Sequence, residues 1–371
     1  MVEWKKLGEV CKTVSPPKKL EKELYGNVGL YPIIDQGQKE IVGFTDDLTA
    51  LLPYGEYVLF GDHTRFVKYY RGKFAQGADG LKILKANESI IPRYFFYVFD
   101  NTEVPSRGYS RHWSIAKQLL IPIPSLSEQQ RIVSILDTFT SSISNLKQQI
   151  EERRKQYEYE RDLLLDLEGK EGVEMKKLGE VFDTRNGYTP STKNPDFWEE
   201  GTIPWFKMED IRDNGRVLGD SNLHITPKAI KGKGLFKANS IILATSATIG
   251  EHALITVEHL SNQRFTNFYP KKKFEGLINM KFVYYYMYLI DEWCKQHINQ
   301  GGFASVDMNG LFSMDFPLLS LQAQSRIVSI LDTFEQSISN LEEQLAMREK
   351  QYEYYRNQLL TFEGEEERGK T

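Results

Sequence analysis

Hydrogen-bonding side chains are concentrated in a few short, glycine-containing stretches of the sequence. The stretch SRGYSRH at 106–112 combines two arginines, a tyrosine and a histidine, and GDHTR at 61–65 is a second such group. A guanidinium group can donate two parallel hydrogen bonds to a phosphate or to the edge of a guanine, while amide side chains suit adenine. These stretches therefore predict contacts with nucleic acid, and the candidates are Asp62, His63, Arg65, Arg107, Tyr109, Arg111 and His112.

A second set of polar candidates lies in the later half of the chain. Its last member, Gln300, begins the stretch QGGF at 300–303. This stretch is in a place comparable to 107–109, because each lies ahead of a long helical segment. For any single candidate the alternative is an ordinary surface residue, so the clusters are safer predictions than their members. We interpret KKK at 271–273 as a phosphate contact or a solvated turn. The second set is Tyr188, Thr189, Thr192, Lys193, Lys207, Gln263, Arg264 and Gln300.

Catalytic and nucleotide-binding motifs match this sequence poorly. The segment NPDF at 194–197 is one residue away from the Asn-Pro-Pro-Phe loop of adenine methyltransferases, but no glycine-rich cofactor loop accompanies it. A turn with an Asn-Pro break is therefore the better interpretation. No G-x-x-x-x-G-K-[ST] phosphate loop is present. The sequence predicts no catalytic residue and no cofactor bound by this chain.

Metal binding, disulfide bonding and membrane insertion are also poorly supported. The six histidines show no metal-ligand spacing, and neither Cys11 nor Cys294 has a C-x-x-C partner, so we expect no metal site and two reduced structural thiols. No apolar run approaches the roughly 18 residues of a membrane helix. The start, MVEWKKLGEV, has no apolar signal core. Together these features predict a cytoplasmic protein.

The net charge of −4 is distributed unevenly along the 371 residues. Residues 1–120 carry 17 basic and 14 acidic side chains, and residues 175–315 carry 17 and 16. The excess of acid lies in 121–174, with 7 basic and 11 acidic side chains, and in 316–371, with 6 and 10. The segments that contain the candidate residues are thus neutral to basic, which permits an anion-binding surface.

The elements that must position these residues are duplicated. RIVSILDTF occurs at 131–139 and again at 326–334, and 24 of the 35 positions that start there are identical in the two copies. KKLGEV also occurs twice, at 5–10 and 176–181. The chain is therefore two copies of one module, each with a short start, a long variable middle and a helical end.

The two helical ends predict a coiled coil. Apolar residues recur at alternating steps of three and four, as in Leu136, Phe139, Ile143, Leu146 and Ile150, and the second copy repeats the spacing. Each pattern covers 35 residues without Pro or Gly, which is about 50 Å of helix. An ordinary amphipathic core helix is the alternative. We expect the two similar stripes to bury each other in an antiparallel pair, related by a pseudo-twofold axis.

The variable middles predict mixed, strand-rich domains, so the fold class is α+β. We expect strands at 57–62, 66–74, 81–85, 240–247 and 264–270, and helices at 92–100 and 279–293, whose aromatic residues we interpret as core packing. The predicted divisions are a first mixed domain at 1–124, a long helix at 125–168, a linker at 169–174, a second mixed domain at 175–318, a second long helix at 319–363 and a disordered acidic tail at 364–371.

The boundaries between middles and helices resemble a known family. IPIPSLSEQQRIVSILD at 121–137 and FPLLSLQAQSRIVSILD at 316–332 are similar to the junction between a target-recognition domain and the spacer helix in specificity subunits of type I restriction–modification systems. DQGQKEIVGFTDD at 35–47 and SATIGEHALI at 246–255 resemble landmarks inside those domains. The resemblance covers nearly the whole chain.

The resemblance implies a non-catalytic subunit that binds double-stranded DNA. Each recognition domain of such a subunit reads one half of a bipartite site, and the helices set the gap. Two unlike middles then imply an asymmetric target. The implied partners are two adenine methyltransferase subunits and, where a system has them, restriction subunits. S-adenosylmethionine and ATP would be bound by those partners.

One difference between the copies bears on partner binding. The turn SLSEQQ of the first copy is SLQAQS in the second, which keeps one Gln and replaces Glu128 by Ala323. If this turn seats a methyltransferase, the two docking sites need not be equally tight. Two other interpretations of the chain remain: a coiled-coil scaffold that joins two ligand-binding domains without DNA, and a self-contained methyltransferase, which the missing cofactor loop disfavours.

Overall fold

The structure, a computed structural model, describes residues 2–78, 80–108, 110–232, 234–299 and 304–362. The chain divides into two compact units. The first unit is Met1–Gln148 with Glu342–Thr371, and the second is Gln149–Leu341. Each unit therefore combines one variable middle with a part of both long helices.

The first unit contains a four-stranded antiparallel sheet in the order β2-β8-β5-β6 and a three-stranded sheet in the order β4-β3-β7. A further pair, β1 with β9, joins the start of the module to the residues that precede the long helix. The strands are β1 (Glu3–Lys6), β2 (Cys11–Val14), β3 (Tyr31–Ile34), β4 (Gly43–Thr45), β5 (Gly55–Gly61), β6 (Val67–Gly72), β7 (Ala75–Gln76), β8 (Leu81–Ala86) and β9 (Leu120–Ile123). The helices are α1 (Pro92–Asp100), α2 (Trp113–Ala116) and the first part of α3 (Leu126–Leu165).

The second unit repeats this plan. Its larger sheet has the order β11-β18-β15-β16-β13, its smaller one β14-β12-β17, and β10 pairs with β21 as β1 does with β9. The strands are β10 (Glu174–Lys177), β11 (Phe182–Asn186), β12 (Ile203–Phe206), β13 (Val217–Leu218), β14 (His224–Ile225), β15 (Ser240–Ala244), β16 (His252–Ile255), β17 (Leu260–Ser261), β18 (Phe265–Pro270), β19 (Ile298–Asn299), β20 (Ser305–Val306) and β21 (Asp315–Leu318). The helices are α4 (Leu178–Val181), α5 (Met208–Asn214), α6 (Met280–Gln296), α7 (Met308–Phe312) and α8 (Leu321–Leu360).

The predicted strands and helices of the middles are confirmed. The five predicted strands appear as β5, β6, β8, β15 and β18, and the two helices as α1 and α6. The aromatic residues of α1 and α6 are largely buried, as core packing predicts, and Tyr94, Phe95, Phe282 and Tyr285 are among them. The NPDF segment forms a 3₁₀ turn in which the Asn194 side chain accepts a hydrogen bond from the backbone N–H of Asp196.

The start of each long helix is locked to its own unit by a buried glutamine. The Gln129 side chain accepts from the backbone N–H of Ile91 at 2.8 Å and donates to the carbonyls of Ser89 and Pro124. Gln324 does the same with Asn279, Leu277 and Leu319. Both amide side chains are buried and hydrogen-bonded to backbone groups of their own unit. The Gln that the two copies share is therefore structural and does not face a partner.

The last polar residue of RIVSILD fixes the helix laterally. Asp137 accepts from Arg93 Nε at 2.7 Å and from the Tyr97 hydroxyl at 2.5 Å. In the second unit Asp332 accepts from the Tyr285 hydroxyl at 2.5 Å and from Lys281 Nζ at 2.8 Å. Burial, and then the bond to the carboxylate, raises the pKa of Tyr97, so the phenol stays protonated and donates.

Antiparallel contacts between the two long helices occur inside each unit. In the first, the Phe139 ring lies 6.5 Å from Tyr352, with the Arg348 guanidinium 5.6 Å above it. In the second, Phe334 lies 6.4 Å from Tyr157 and has Arg153 over its ring. The predicted antiparallel coiled coil and internal repeat are thus confirmed, and the arginines at alternate seam positions cover aromatic rings.

Three further features complete the fold. Gly169 and Gly172 adopt positive φ after α3 ends, as expected for a linker that stops a helix. Cys11 and Cys294 are free and buried, and burial raises the pKa of each thiol to about 12. Within the parts of the chain that the structure describes, no helix combines the length and apolarity needed to cross a membrane. The tail predicted at 364–371 lies outside the described residues.

Candidate nucleic-acid interface

In the first unit a single aspartate joins three loops. The Asp62 backbone donates to Gly80 O at 2.6 Å, which ties the turn after β5 to the loop before β8. Its Oδ1 accepts from the backbone N–H of Trp113 at 2.7 Å, and its Oδ2 lies 3.4 Å from Lys82 Nζ. Its carbonyl accepts from the backbone N–H of His112 at 2.8 Å. The two polar stretches, 61–65 and 106–112, are therefore parts of one surface.

His112 forms the second half of this junction. Its Nδ1 lies 2.9 Å from the Asp62 carbonyl, and its Nε2 lies 3.1 Å from the backbone nitrogen of Arg107. Because the N–H of Arg107 must donate, Nε2 carries no proton and Nδ1 is the donor to Asp62. The ring is therefore neutral and uses both of its nitrogens.

The exposed groups around this junction are arginines. Arg65 is held in the left-handed region, with φ 66°, by its backbone bond to Gly61 O, and its Nη1 donates to Val104 O at 2.9 Å. Arg107 and Arg111 are exposed on the loop that precedes α2. A Cβ at Gly61 would lie 2.1 Å from the Thr64 hydroxyl, so the turn needs glycine there. Three guanidinium groups thus lie on loops that the Asp62–His112 junction holds together.

The structure corrects two of the predicted contacts in this unit. Asp62 is 2% exposed and His112 is 0% exposed, so neither side chain can reach a base or a phosphate from this position. Both support the loops. His63 is partly buried, and its backbone N–H donates to Gln36 Oε1 at 3.2 Å. Tyr109 lies outside the described residues.

In the second unit the structure brings four of the predicted residues together on neighbouring loops. The Tyr188 backbone donates to Ser261 O at 2.8 Å, and its hydroxyl donates to Ala229 O at 3.0 Å, so this side chain is fixed and partly buried. The Thr189 hydroxyl donates to Gln263 Oε1, which orients an exposed amide. Arg264 follows Gln263 and is exposed.

Lys207 joins the same region from β12. The backbone N–H of Asn262 donates to Phe206 O at 3.0 Å, which places the residue after Phe206 beside the Gln263 loop. The Lys207 backbone donates to Asp210 Oδ2 at 2.7 Å, at the start of α5. Lys207 is therefore held at the start of α5, beside the Gln263 loop.

The remaining candidates of this unit lie on one turn or outside the description. Thr192 and Lys193 are exposed on a turn in which Ser191 O accepts from Trp198 Nε1 at 3.1 Å. This turn continues the loop that begins at Tyr188. Gln300 lies outside the described residues.

Sequence reasoning missed one residue that builds the first site. Gln36 accepts from the His63 backbone through its side chain and from the Thr64 hydroxyl through its carbonyl. A Cβ at Gly80 would lie 2.4 Å from its Oε1, so the loop before β8 packs directly on this amide. Two signals in the sequence pointed to it: the stretch DQGQKEIVGFTDD, which contains Gln36, and the glycines Gly61 and Gly80, which allow the close approach of their loops.

Most of the chain matches one protein family. The family described as "Type I restriction modification DNA specificity domain" matches residues 1–153 and 170–347. The chain belongs to this family. The two matched segments correspond to the two copies of the module, so the internal repeat is a repeat of the family's own domain.

Similar curated proteins are specificity subunits. The EcoR124I/EcoR124II subunit of Escherichia coli is 32% identical over 97% of this chain and 94% of its own length. The EcoprrI subunit of the same species is 48% identical, over 53% of this chain and 52% of its own length. The second match thus covers about half of each protein, whereas the first spans both modules.

Solved structures show the same fold. The crystal structure of the type I restriction–modification S subunit from M. genitalium has a TM-score of 0.61 to this chain, with 16% identity, and covers 98% of this chain and 97% of its own. The likeness supports the architecture of two repeated domains and two long helices. The chain is a type I restriction–modification specificity subunit, the component of such systems that recognises the DNA target and has no catalytic role.

Proposed function

We propose that each unit reads one half of a bipartite, asymmetric DNA site. The observation that supports this is that the two units share a sheet framework but expose different side chains on their loops. The first offers exposed arginines, with Arg107 and Arg111 as the candidate base readers. The second offers Thr189, Gln263 and Arg264. Arginine suits guanine and glutamine suits adenine, so the two half-sites differ in sequence.

The remaining positive groups contact the phosphate backbone in this proposal. Lys193 and Lys207 lie beside the second cluster, and lysine is a point charge that suits phosphate. Arg65 already donates one hydrogen bond to the protein, so it serves phosphate better than a two-bond base contact. Such contacts set register and orientation and carry no sequence information of their own.

The partners in this proposal are two adenine-N6 DNA methyltransferase subunits, joined in some systems by restriction subunits, in the cytoplasm. Support comes from apolar side chains that are exposed at matching positions of both long helices. Leu126 corresponds to Leu321, and Tyr159 to Tyr354, and all four are exposed. Repeated exposure suits two copies of one partner. S-adenosylmethionine and ATP belong to the partner subunits.

A domain exchange tests the proposal. Residues 185–315 would be replaced by the corresponding segment of another specificity subunit, which leaves the flanks of the second module intact. Because each unit has its own sheets and core, we expect one half of the methylated site to change and the other to stay the same. Sequencing that detects modified adenines in the host genome provides the measurement.

The reciprocal exchange, of residues 14–120, is the matched control and should change the other half-site. If either exchange altered both half-sites, the division of reading between the units would be wrong. If an assembled complex bound DNA without sequence preference before any exchange, the reading function itself would be wrong.

A further inference from the structure

We infer that His112 is a positioning residue that holds Arg107, on the loop that also carries Arg111 (the arginine loop), in place for reading DNA. This inference rests on the proposed function of the first unit. The imidazole does not touch the DNA in this account. It links the turn after β5 to the loop that carries Arg107 and Arg111, and thereby sets where those guanidinium groups can donate.

The contacts of His112 support this role directly. The side chain is fully buried, donates through Nδ1 to the Asp62 carbonyl and accepts through Nε2 from the Arg107 backbone. The last bond restrains the backbone of a candidate base reader itself. Three residues after Arg107, the backbone N–H of Ser110 donates to Gly108 O at 2.9 Å. The imidazole therefore restrains one end of a short loop whose other end it covalently continues.

The charged groups around the imidazole extend its contacts into a chain of four residues, which we call the latch. The Asp62 carboxylate accepts a hydrogen bond from Trp113 N and forms an ion pair with Lys82 Nζ. These two contacts fix the carboxylate, and the imidazole is not one of its partners. The Asp62 carbonyl remains to accept from His112. The latch is thus a chain of fixed contacts, Lys82 to Asp62 to His112 to Arg107.

The second unit provides an internal reference because it lacks this latch. At the matching place, Val306 N donates to Thr245 O at 2.9 Å, the same backbone bond as His112 N to Asp62 O. Valine has no side-chain donor or acceptor. A change at His112 should therefore affect reading of the first half-site and leave the second unchanged.

Two substitutions of His112 remove its two side-chain hydrogen bonds one at a time. In His112→Asn the amide nitrogen takes the place of Nδ1 and can still donate to Asp62, but no acceptor remains for Arg107. In His112→Gln the amide oxygen takes the place of Nε2 and can still accept from Arg107. Arg107→Ala with Arg111→Ala is the reference variant that removes the readers themselves.

The measurement is competition binding by the assembled complex, with duplexes that carry the mapped target or one substituted half-site. We expect His112→Asn to reduce discrimination at the first half-site about tenfold, within the roughly 5- to 150-fold that the loss of one two-bond base contact produces. His112→Gln should retain most of the discrimination. The dependence of binding on salt should stay the same in both variants, because no phosphate contact is removed.

The outcomes separate the latch from the reading function. If the double arginine variant lost discrimination at the first half-site and His112→Asn did not, the latch would be wrong and the function of the loop would stand. If neither variant changed discrimination, the arginine loop would not contact bases, and both ideas would fail. Equal loss at both half-sites, or equal behaviour of the Asn and Gln variants, would reduce His112 to a general stabilising residue and overturn the inference.

Discussion

The two recognition units use the same backbone framework and fill it with different side chains. In the first, β3 pairs with β4 antiparallel and with β7 parallel, and in the second, β12 pairs with β14 and β17 in the same senses. The backbone bond from His112 N to Asp62 O, at 2.8 Å, also recurs in the second unit, from Val306 N to Thr245 O at 2.9 Å. The framework is therefore fixed by main-chain pairing.

The side chains beneath that bond show how far the units differ. The first places a buried imidazole and a carboxylate there. The second places Thr245, whose hydroxyl lies 2.9 Å from that of Thr266, which donates in turn to Asn186. A framework that depends on main-chain bonds tolerates such replacement, because each set of side chains has only to satisfy its own polar groups. Under the proposed function, this separation would allow one fold to read two half-sites of different sequence.

The largest predicted effect concerns the two long helices, α3 and α8, of which each unit contains a part. Deleting 143–149 and 338–344 removes one heptad from each of α3 and α8 and keeps the seam in phase. Each helix becomes about 10 Å shorter at 1.5 Å per residue. That length corresponds to about 3 bp of DNA, or about 100° of rotation around the duplex. We expect methylation of the original site to be lost, or to move to sites with a shorter gap and unchanged half-sites.

The measurement is the map of modified adenines in cells that carry the variant complex. Assembly of the variant with its partners, checked by size-exclusion chromatography, is the control for folding. Methylation of the original site at its original spacing by an assembled variant would contradict the role of the helices in setting the gap.

The sequence predicted the repeated features of this molecule better than the local ones. The heptad spacing located both long helices, and the apolar runs located β5 and β18, because burial of a periodic apolar face depends on local sequence. The burial of His112 was not predictable, since its partner Asp62 is 50 residues away and only the folded loops bring them together. The role of Gln129 was not predictable either, since its side chain bonds the backbone of Ser89 and Ile91, about 40 residues earlier in the chain.

The second test concerns stability against pH, which should differ between the units. His259 belongs to the second unit, where its ring packs against Phe206 at 5.4 Å and its Nδ1 lies 2.9 Å from Val257 O. Burial lowers the pKa of His259 to about 4. The unfolded chain, with an ordinary histidine pKa near 6.5, binds the proton first as pH falls. This contribution to stability is therefore complete above about pH 6.5 and is lost towards pH 4.

We expect the second unit to lose roughly 2 kcal/mol between pH 7 and pH 5 from this residue alone. Urea unfolding followed through tryptophan fluorescence measures it, since Trp198 and Trp205 pack together in this unit. His259→Phe is the control: its absolute stability can differ, but its dependence on pH in this window should be weaker. Identical pH dependence in both proteins would show that the buried imidazole does not titrate as argued.

The smallest predicted effect sharpens the comparison of the two helix anchors. Asp137 and Asp332 occupy the same place in the repeated nonapeptide, but two of the groups around them differ. The cation is Arg93 beside Asp137 and Lys281 beside Asp332. In the second unit Glu335 also accepts from the Tyr285 hydroxyl, at 3.0 Å, whereas the residue in the matching place of the first unit is Thr140, 3.4 Å from the Tyr97 hydroxyl. A second carboxylate can keep the phenol partnered when the aspartate is lost.

We therefore expect Asp137→Ala to destabilise its unit by about 1–2 kcal/mol, and Asp332→Ala to cost its own unit less, because only the first leaves a buried donor without a carboxylate. The Arg93 guanidinium adds to the difference: it lies over three aromatic rings, the nearest 4.6 Å away, and loses its anion in Asp137→Ala. Hydrogen exchange of α1 and α6 in the two variants compares the units within one chain. Asp332→Ala combined with Glu335→Ala should bring the cost in the second unit up to that in the first. Equal opening of α1 and α6 in the two single variants would mean that Glu335 does not substitute for the aspartate.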